Sequence, residues 1–489
     1  MLEKSNAIVL EALESGLFSG AQLSVSDNNG RIFGAACGKS SFTDTALPLD
    51  EGSFFDLASL TKPLATATAC AFLAACGEMN IEAPLHNFFP QYKGGGKEAV
   101  TLKTLLNHTS GLPAWKPYYE RLADMGRGTA RERLLELLLD EPLENPPETV
   151  ETYSDLGFML LAYVVEKISG MRLDAFVEEQ IYSRLGLDEL FYLPMVCSGR
   201  SEKLAGRVLV SSRQQESGEC AIFYLNDENA SAVGGISGHA GLFGTARAVE
   251  SLLWEWRRGL TGESELLPRA TVLEFWHPFH KLPRAAHVLG WDRPVWKVSQ
   301  AGRYISPHAI GHLGYTGTSC WIDPDHQLSI VFLANRTAGN GSLENMAAFR
   351  RRLHESIFEE CGATARGPYH RPVPGAAKHI HLSAVAGTAM GSLAGLLKEA
   401  AFTVSGSDEQ VYPPMSDQLA QQGITVRTPF SAGNLNPPPD AVVIGNVCSR
   451  NHPEAVEVQR RGLPYESLPS AIERFFLHEI GRASCRERV

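Results

Sequence analysis

The stretch from Ser59 to Cys76 constrains this chain most. Ser59 and Lys62 are three residues apart, so on a helix they share one face, one above the other. The next residues, Leu64 to Cys76 (LATATACAFLAAC), are apolar almost all round, which predicts a buried helix rather than a surface one. Pro63 fits such a helix only in its first turn. Ser59 is therefore expected at the N-terminus of a core helix, where free backbone N–H groups can face a developing oxyanion. Lys62 is expected inside, where desolvation and neighbouring charges would lower its pKa until it can take a proton. A solvated helix start is the competing reading, because Ser-x-x-Lys alone is a common word.

Two later segments bear on that choice. Tyr153-Ser154-Asp155 precedes a second apolar helical run, LGFMLLAYVVEKISG. Gly311-His312-Leu313-Gly314-Tyr315-Thr316-Gly317 opens a stretch that reads as strand, turn and strand. With these three elements in order, and with FDLASLTKPL, LLNHTSGLP, NDENASAVGGISGHAGLFGTA and GHLGYTGTSCWIDP around them, residues 1–361 resemble the serine β-lactamase, penicillin-binding-protein and class C-like esterase superfamily. The three elements correspond to its Ser-x-x-Lys, Tyr-x-Asn and Lys-Thr-Gly signatures.

The resemblance implies roles. Ser59 would attack a carbonyl, with Lys62 and Tyr153 as the base system that takes its proton and later protonates the leaving group. The backbone N–H groups of Ser59 and Tyr315 would form the oxyanion hole. Asp155, His312 and Gly314 would face the substrate. Gly314 would let the strand edge approach it without a Cβ. His312 would orient substrate, stabilise Tyr153 or serve the fold. Two departures stand out: Asp155 replaces an asparagine, and His312 replaces a lysine, a permanent charge suited to a substrate carboxylate. Both point away from efficient β-lactam hydrolysis and toward an esterase or peptidase.

His108 and His239 lie in glycine-rich loops without companions at metal-ligand spacing, so both read as structural and no metal is expected. Asp227 and Glu228 read as loop-fixing acceptors rather than a catalytic pair.

The chain has 489 residues, 44% of them hydrophobic and 20% charged, which predicts a large folded protein of two or more domains. A net charge of -11 argues against nucleic acid or an acidic membrane surface as partner, and the resemblance implies a small-molecule or muropeptide-like peptide substrate. The nine cysteines are scattered, without a Cys-x-x-Cys pair, and read as reduced core residues. The N-terminal segment interleaves Glu3, Lys4, Glu11 and Glu14 with apolar residues, giving an amphipathic helix rather than a signal peptide. Together these predict a cytoplasmic location.

Around that first region, AQLSVSD and RIFGAACGK flank Asn28-Asn29-Gly30, while TSCWID and LSIVFLANR flank Pro324-Asp325-His326. Two hairpins at opposite ends predict one antiparallel sheet closed by both, with the intervening helices in a second lobe. The fold class is thus α/β (α+β).

Residues 362–378 are rich in glycine and proline and read as a linker. Beyond it, His379–Leu382, a small-residue turn, the helix AMGSLAGLLKEA and the strand FTVSGSD make a βαβ-like, Rossmann-like start. Asp408 falls about 20 residues after the turn, where such folds place a ribose-binding acid. A Rossmann-like unit without a nucleotide is the competing reading. On HIHLSAVAGTAMGSLAGLLKEA, GSDEQVYPPMSDQL, PPPDAVVIGNVCSRNHPE and RGLPYESLPSAIERFFL, residues 379–478 resemble the N-terminal domain of Mur ligases, especially the recycling type that joins UDP-N-acetylmuramate to the murein tripeptide. The resemblance implies a UDP-sugar held by Gly387, Thr388, Met390, Gly391 and Asp408, with Asn446, Ser449 and Arg450 as further contacts. Ala384 and Ala386 stand where the tighter pattern has glycine. ATP and Mg would require a Gly-x-x-x-x-Gly-Lys-[Ser/Thr] loop, and the sequence contains none. Residues 479–489 (EIGRASCRERV) resemble a translated sequencing adapter, which predicts a truncated reading frame that cannot ligate as it stands and a hydrolase–ligase fusion in the complete gene.

Overall fold

The computed structural model describes residues 2–192, 209–210, 225–276, 285–294, 299–339, 341–362, 379–400, 402–445, 447–449, 452–469 and 471–472. Two compact units divide at residue 368, and each is described by itself. The glycine- and proline-rich residues 363–378 and the tail 479–489 lie outside the described residues.

In the first unit the helix Glu3–Glu14 leads into β1 (Gly20–Asp27) and β2 (Gly30–Gly38), paired with Asp27 opposite Gly30, so the Asn28-Asn29-Gly30 hairpin forms as its turn residues predict. Three short strands come next, β3 (Phe54–Asp56), β4 (Leu190–Tyr192) and β5 (Leu209–Val210), and with β6 (Leu242–Gly244) they make a small sheet in the order β4-β6-β3-β5. The trailing strands are β7 (Ile310–Leu313), β8 (Ser319–Asp323) and β9 (Leu328–Ala334). The main sheet runs β2-β1-β9-β8-β7, antiparallel throughout, and Ala21 pairs with Ala334 across β1 and β9. The two ends of the unit thus close one sheet, because both hairpins bury their apolar faces against the same helices. One core lies between that sheet and the helices Glu3–Glu14 and Leu343–Glu360, and a larger one fills the helical lobe around Asp155–Ser169 and Ala246–Thr261.

The run after Ser59 is buried, as its composition demands, but it is not one α-helix. Ala58–Leu60 is a 3-10 turn, Lys62–Ala67 winds as a π-helix, and only Thr68–Ala75 is α-helical. Pro63 lies in the first turn, where its missing N–H costs no hydrogen bond, and the Thr68 hydroxyl donates to its carbonyl (2.7 Å).

The second unit is a parallel sheet in the order β12-β11-β10-β13-β14, built from β10 (His379–Ser383), β11 (Thr403–Ser407), β12 (Thr425–Arg427), β13 (Ala441–Ile444) and β14 (Tyr465–Ser467). Its β10–helix–β11 start, with the helix Thr388–Glu399 between them, is the Rossmann-like arrangement expected. No described helix in either unit is long and apolar enough to cross a membrane.

Candidate active site

Asp56, Leu57 and Ala58 set the position of Ser59. Ala58 has φ +47, a left-handed conformation that alanine adopts only under constraint. Its N–H donates to Asp56 Oδ1 (2.9 Å), while Asn226 N–H donates to Asp56 Oδ2 (2.9 Å). Burial raises the Asp56 carboxyl to about 6 against the pull of those two donors. The Tyr315 turn is fastened to the same segment, since Thr316 Oγ1 donates to the Asp56 carbonyl (2.9 Å) and Thr318 Oγ1 to that of Leu57 (3.2 Å). Arg336 holds the Tyr315 carbonyl from behind at 3.0 and 2.6 Å. The segment before Ser59 and the Tyr315 turn are thereby tied together.

Gly314 serves a different purpose from the one its sequence suggests. A Cβ there would lie 1.9 Å from Thr318 Oγ1 and 2.9 Å from the Leu57 carbonyl. The glycine makes room for the clamp itself.

Lys62 is fully buried. Its ammonium lies 3.2 Å from Ser59 Oγ, 2.6 Å from Asp155 Oδ1 and 4.7 Å from the centre of the Tyr153 ring. Burial pulls its pKa down, but Asp155 and Tyr153 outweigh burial, and the net shift is upward. This corrects the expectation of a lysine poised to accept a proton: with a carboxylate where relatives of this type carry an amide, Lys62 stays a cation. Asp155 is thereby bound to Lys62 as its counter-ion, a role its sequence position alone does not disclose. Burial pushes the Tyr153 phenol up to about 12, although Lys62 lowers it and Ser59 and Lys62 both hydrogen-bond to it. Tyr153 is therefore a neutral phenol near neutrality.

Three imidazoles surround Tyr153, with ring centres at 4.6 Å (His108), 5.7 Å (His287) and 5.9 Å (His312). His108 accepts the Ser154 N–H on Nδ1 (3.0 Å), and burial holds its pKa well below the usual value, so it is a neutral positioning group. His312 is only 2% exposed and lies against Tyr153 and Asp292. Of the two active roles open to it, stabilising Tyr153 fits this placement and contacting substrate does not. Sequence reasoning missed His287, Asp292, Glu151, Asp56 and Arg336. Each is a lone residue outside the three motifs, and no spacing marks it.

His239 bonds Ser237 Oγ through Nδ1 (2.9 Å) and Asp227 Oδ1 through Nε2 (3.0 Å). Asp227 also caps the helix Glu228–Ala232 by accepting from Ala230 N–H, and Glu228 begins that helix. Asp155, Asp227 and His239 do bring one donor atom each within 4.8 Å of one another, a grouping their sequence spacing does not suggest. The Lys62 ammonium already sits on Asp155, and His239 and Asp227 are bonded to each other, so the trio is spent internally.

In the second unit the open end of β10 carries the turn Ala384 to Gly387. Ala384 has φ +68, the strained conformation that glycine would adopt freely. Gly387 and Thr388 are exposed at the start of the helix Thr388–Glu399, and Ser449 is exposed as well. Met390 is buried in the core, and a Cβ on Gly391 would lie 2.3 Å from Met415 Sδ. Both are packing positions, which corrects their assignment as ligand contacts. Asp408 Oδ2 accepts the Ala386 N–H (2.8 Å), so this carboxylate braces the turn. Asn446 and Arg450 lie outside the described residues.

The model described as Beta-lactamase matches residues 6–355, well over half the chain, and the chain belongs to that family. It is a serine hydrolase by family. The model described as "Mur ligase family, catalytic domain" matches residues 379–479. Among curated proteins, a "Putative D-alanyl-D-alanine carboxypeptidase" of Escherichia coli (strain K12) is 30% identical over 308 residues, covering 58% of this chain and 69% of that one. An "N-acetylmuramyl-L-alanine amidase" of Bacillus subtilis (strain 168) is 30% identical over 309 residues, covering 58% and 68%. Among solved structures, "EstCE1, a hydrolase with promiscuous acyltransferase activity" aligns over 73% of this chain and 98% of its own with a TM-score of 0.57; at 19% identity it bears on the fold alone.

Proposed function

We propose that the first unit hydrolyses an amide or ester of a murein-derived peptide through an acyl-enzyme on Ser59, and that the second unit holds a UDP-N-acetylmuramate-type ligand, both acting in the cytoplasm. The observation that carries the hydrolase reading is the contact of Ser59 with buried Lys62 and with Tyr153. As Ser59 Oγ attacks the carbonyl, its proton passes to the Tyr153 oxygen while the phenolic proton moves on to the leaving amine or alkoxide. Tyr153 thus ends as it began, and no free phenolate is required. Lys62 stabilises the negative charge that crosses between Ser59 and Tyr153, and the Ser59 and Tyr315 N–H groups take the oxyanion. Water repeats the sequence in reverse to release the acyl group. The murein class is supported by the names of the two curated relatives, a carboxypeptidase for D-alanyl-D-alanine and an amidase for N-acetylmuramyl-L-alanine.

For the second unit the support is the exposed turn at Gly387 beyond β10, where a helix N-terminus meets the open ends of parallel strands, together with the Mur ligase match. Ligation is not part of this reading, because no loop for ATP phosphates occurs in the sequence.

The test is to treat the full chain with a fluorophosphonate and locate the adduct by mass spectrometry, then to compare hydrolysis of a D-alanyl-D-alanine peptide, N-acetylmuramyl-L-alanine and p-nitrophenyl acetate. An adduct on Ser59 and turnover of either murein substrate are expected. Labelling without turnover of either would leave a general esterase, and no labelling at all would remove the mechanism.

A further inference from the structure

We propose that His287 and Asp292 are positioning residues that hold one shared proton against His312, so that the imidazole array supplies beside Tyr153 the positive charge that a lysine at position 312 would carry. The inference rests on the hydrolase reading above. The charge is needed because Lys62, the cation nearest Tyr153, is already matched by Asp155 at 2.6 Å. A proton shuttle through Tyr153 in a buried site then lacks a second cation unless another group provides it.

The geometry names that group. Glu151 accepts from Ala286 N–H, His287 N–H and His287 Nδ1, each at 2.9 Å, and so fixes the ring with its Nδ1 proton in place. His287 Nε2 lies 3.5 Å from Asp292 Oδ1, and the same oxygen lies 3.8 Å from His312 Nε2. One carboxylate oxygen therefore stands between two imidazole nitrogens. His312 Nδ1 donates to the Leu313 carbonyl (2.9 Å), which leaves its Nε2 a bare lone pair turned toward that carboxylate. Neither His312 Nε2 nor Asp292 Oδ1, both buried, has a hydrogen-bond partner among the described residues. Two acceptors facing each other in a buried site are stable only if a proton is at hand to join them.

The proton balance is simple. In the resting site the mobile proton is on His287 Nε2 and points to Asp292 Oδ1. As negative charge develops at Tyr153 it passes through Asp292 Oδ1 to His312 Nε2. His287 is left neutral with Nδ1–H still on Glu151, and His312 becomes a cation beside the phenol. The surrounding charges favour that resting state. Burial opposes a charge on His287, but Glu151 and Asp292 overcome it and raise its pKa, whereas burial lowers those of His312 and His108. Lys62, Tyr153 and Asp155 also face the array, as do Arg293 beside Glu151, and Arg350 and Cys320 beside Asp292.

The test uses the full chain with His287→Gln, Asp292→Asn, His312→Lys and the double variant His287→Gln/His312→Lys, measuring kcat and KM for p-nitrophenyl acetate from pH 5 to 10. His287→Gln and Asp292→Asn should each lower kcat about tenfold near pH 7 with KM changed less than about twofold. Activity that depends on the His287 charge is present below its raised pKa and lost as pH rises through it, so His287→Gln should also lose that limb of the profile. A fixed ammonium at 312 makes the relay unnecessary, so the double variant should match His312→Lys within about threefold. If Asp292→Asn fails to fold, the comparison of His287→Gln with its double variant decides alone. Variants with wild-type kcat and profile, or losses that multiply in the double variant, would overturn the array. Normal fluorophosphonate labelling of Ser59 in those same proteins would show that only the array had failed, whereas an unlabelled wild type would fail the hydrolase reading itself.

Discussion

Asp155 changes the character of the Ser59 site more than any other single residue. With asparagine in its place, the fully buried Lys62 would lose its counter-ion, and burial would then dominate its proton affinity. Asp155→Asn is expected to destabilise the first unit by about 1–3 kcal/mol, less than for a fully enclosed pair because the aspartate side chain is 17% exposed. Urea unfolding measures it. A wild-type midpoint would mean that Lys62 finds another partner. Ser59→Ala should abolish p-nitrophenyl acetate hydrolysis, and Tyr153→Phe should lower kcat by about 10² or more, since the shuttle loses its oxygen. Nitrocefin should be turned over slowly by the wild type, because His312 lies against Asp292 rather than offering a fixed cation to a substrate carboxylate. Rapid nitrocefin hydrolysis would contradict that placement.

Among the elements, the Tyr315 turn and the 3-10 turn before Lys62 act as one piece. Gly314→Ala would drive a methyl into Thr318 Oγ1 and the Leu57 carbonyl, and should cost about 1–3 kcal/mol together with most of the activity. Adding Thr318→Ala to that variant removes the closest clash and should recover stability but not kcat, because one of the two fasteners is then gone. Recovery of full activity would show that the clamp does not position the oxyanion hole. The second unit has an element-level tie of its own. Glu454, in the helix Pro453–Arg461, accepts from Ser383 Oγ and Ser407 Oγ at 2.5 Å each and from Asn434 Nδ2 at 2.8 Å. Burial raises its pKa, but His381 and the two serines outweigh burial and bring the carboxyl down to about 2 from 4.5. The folded value lies below the unfolded one, so this stabilisation is present above about pH 4.5 and is lost as pH falls toward 2, at most about 3 kcal/mol. Glu454→Gln should flatten the acid limb of this unit's stability, followed by amide protection of β10 and β11 against pH.

Across the whole molecule, the two units are built on separate cores. Calorimetric titration of the full chain with UDP-N-acetylmuramate is expected to show weak binding, on the order of 10 µM to 1 mM, for a ligand lying on one exposed turn rather than enclosed. Ser59→Ala should leave that heat unchanged. Thr388→Trp, at an exposed position beside the turn, should remove it while leaving ester hydrolysis intact. Absence of heat at millimolar ligand would mean that the second unit does not bind this sugar nucleotide.

Much of this was legible in the chain alone, for local reasons. Asn28-Asn29-Gly30 and the Pro324-Asp325-His326 turn dictate two hairpins, because turn residues act within four positions of themselves. The apolar runs after Lys62 and Asp155 dictate buried helices, and the three motifs pick out Ser59, Lys62 and Tyr153. Charge states were not legible, because they depend on what lies within a few ångströms in space. Lys62 reads as a base until Asp155, far away in sequence, is found 2.6 Å from its ammonium. Gly314 reads as clearance for a substrate until Thr318 and Leu57 fill the space beside it, and Met390 and Gly391 read as ligand contacts until the core closes over them. Glu151, His287 and Asp292 carry no local signal at all. Short-range sterics and hydrophobic periodicity determined the elements, while desolvation and through-space electrostatics, which exist only once the chain has packed, decided what each side chain can do.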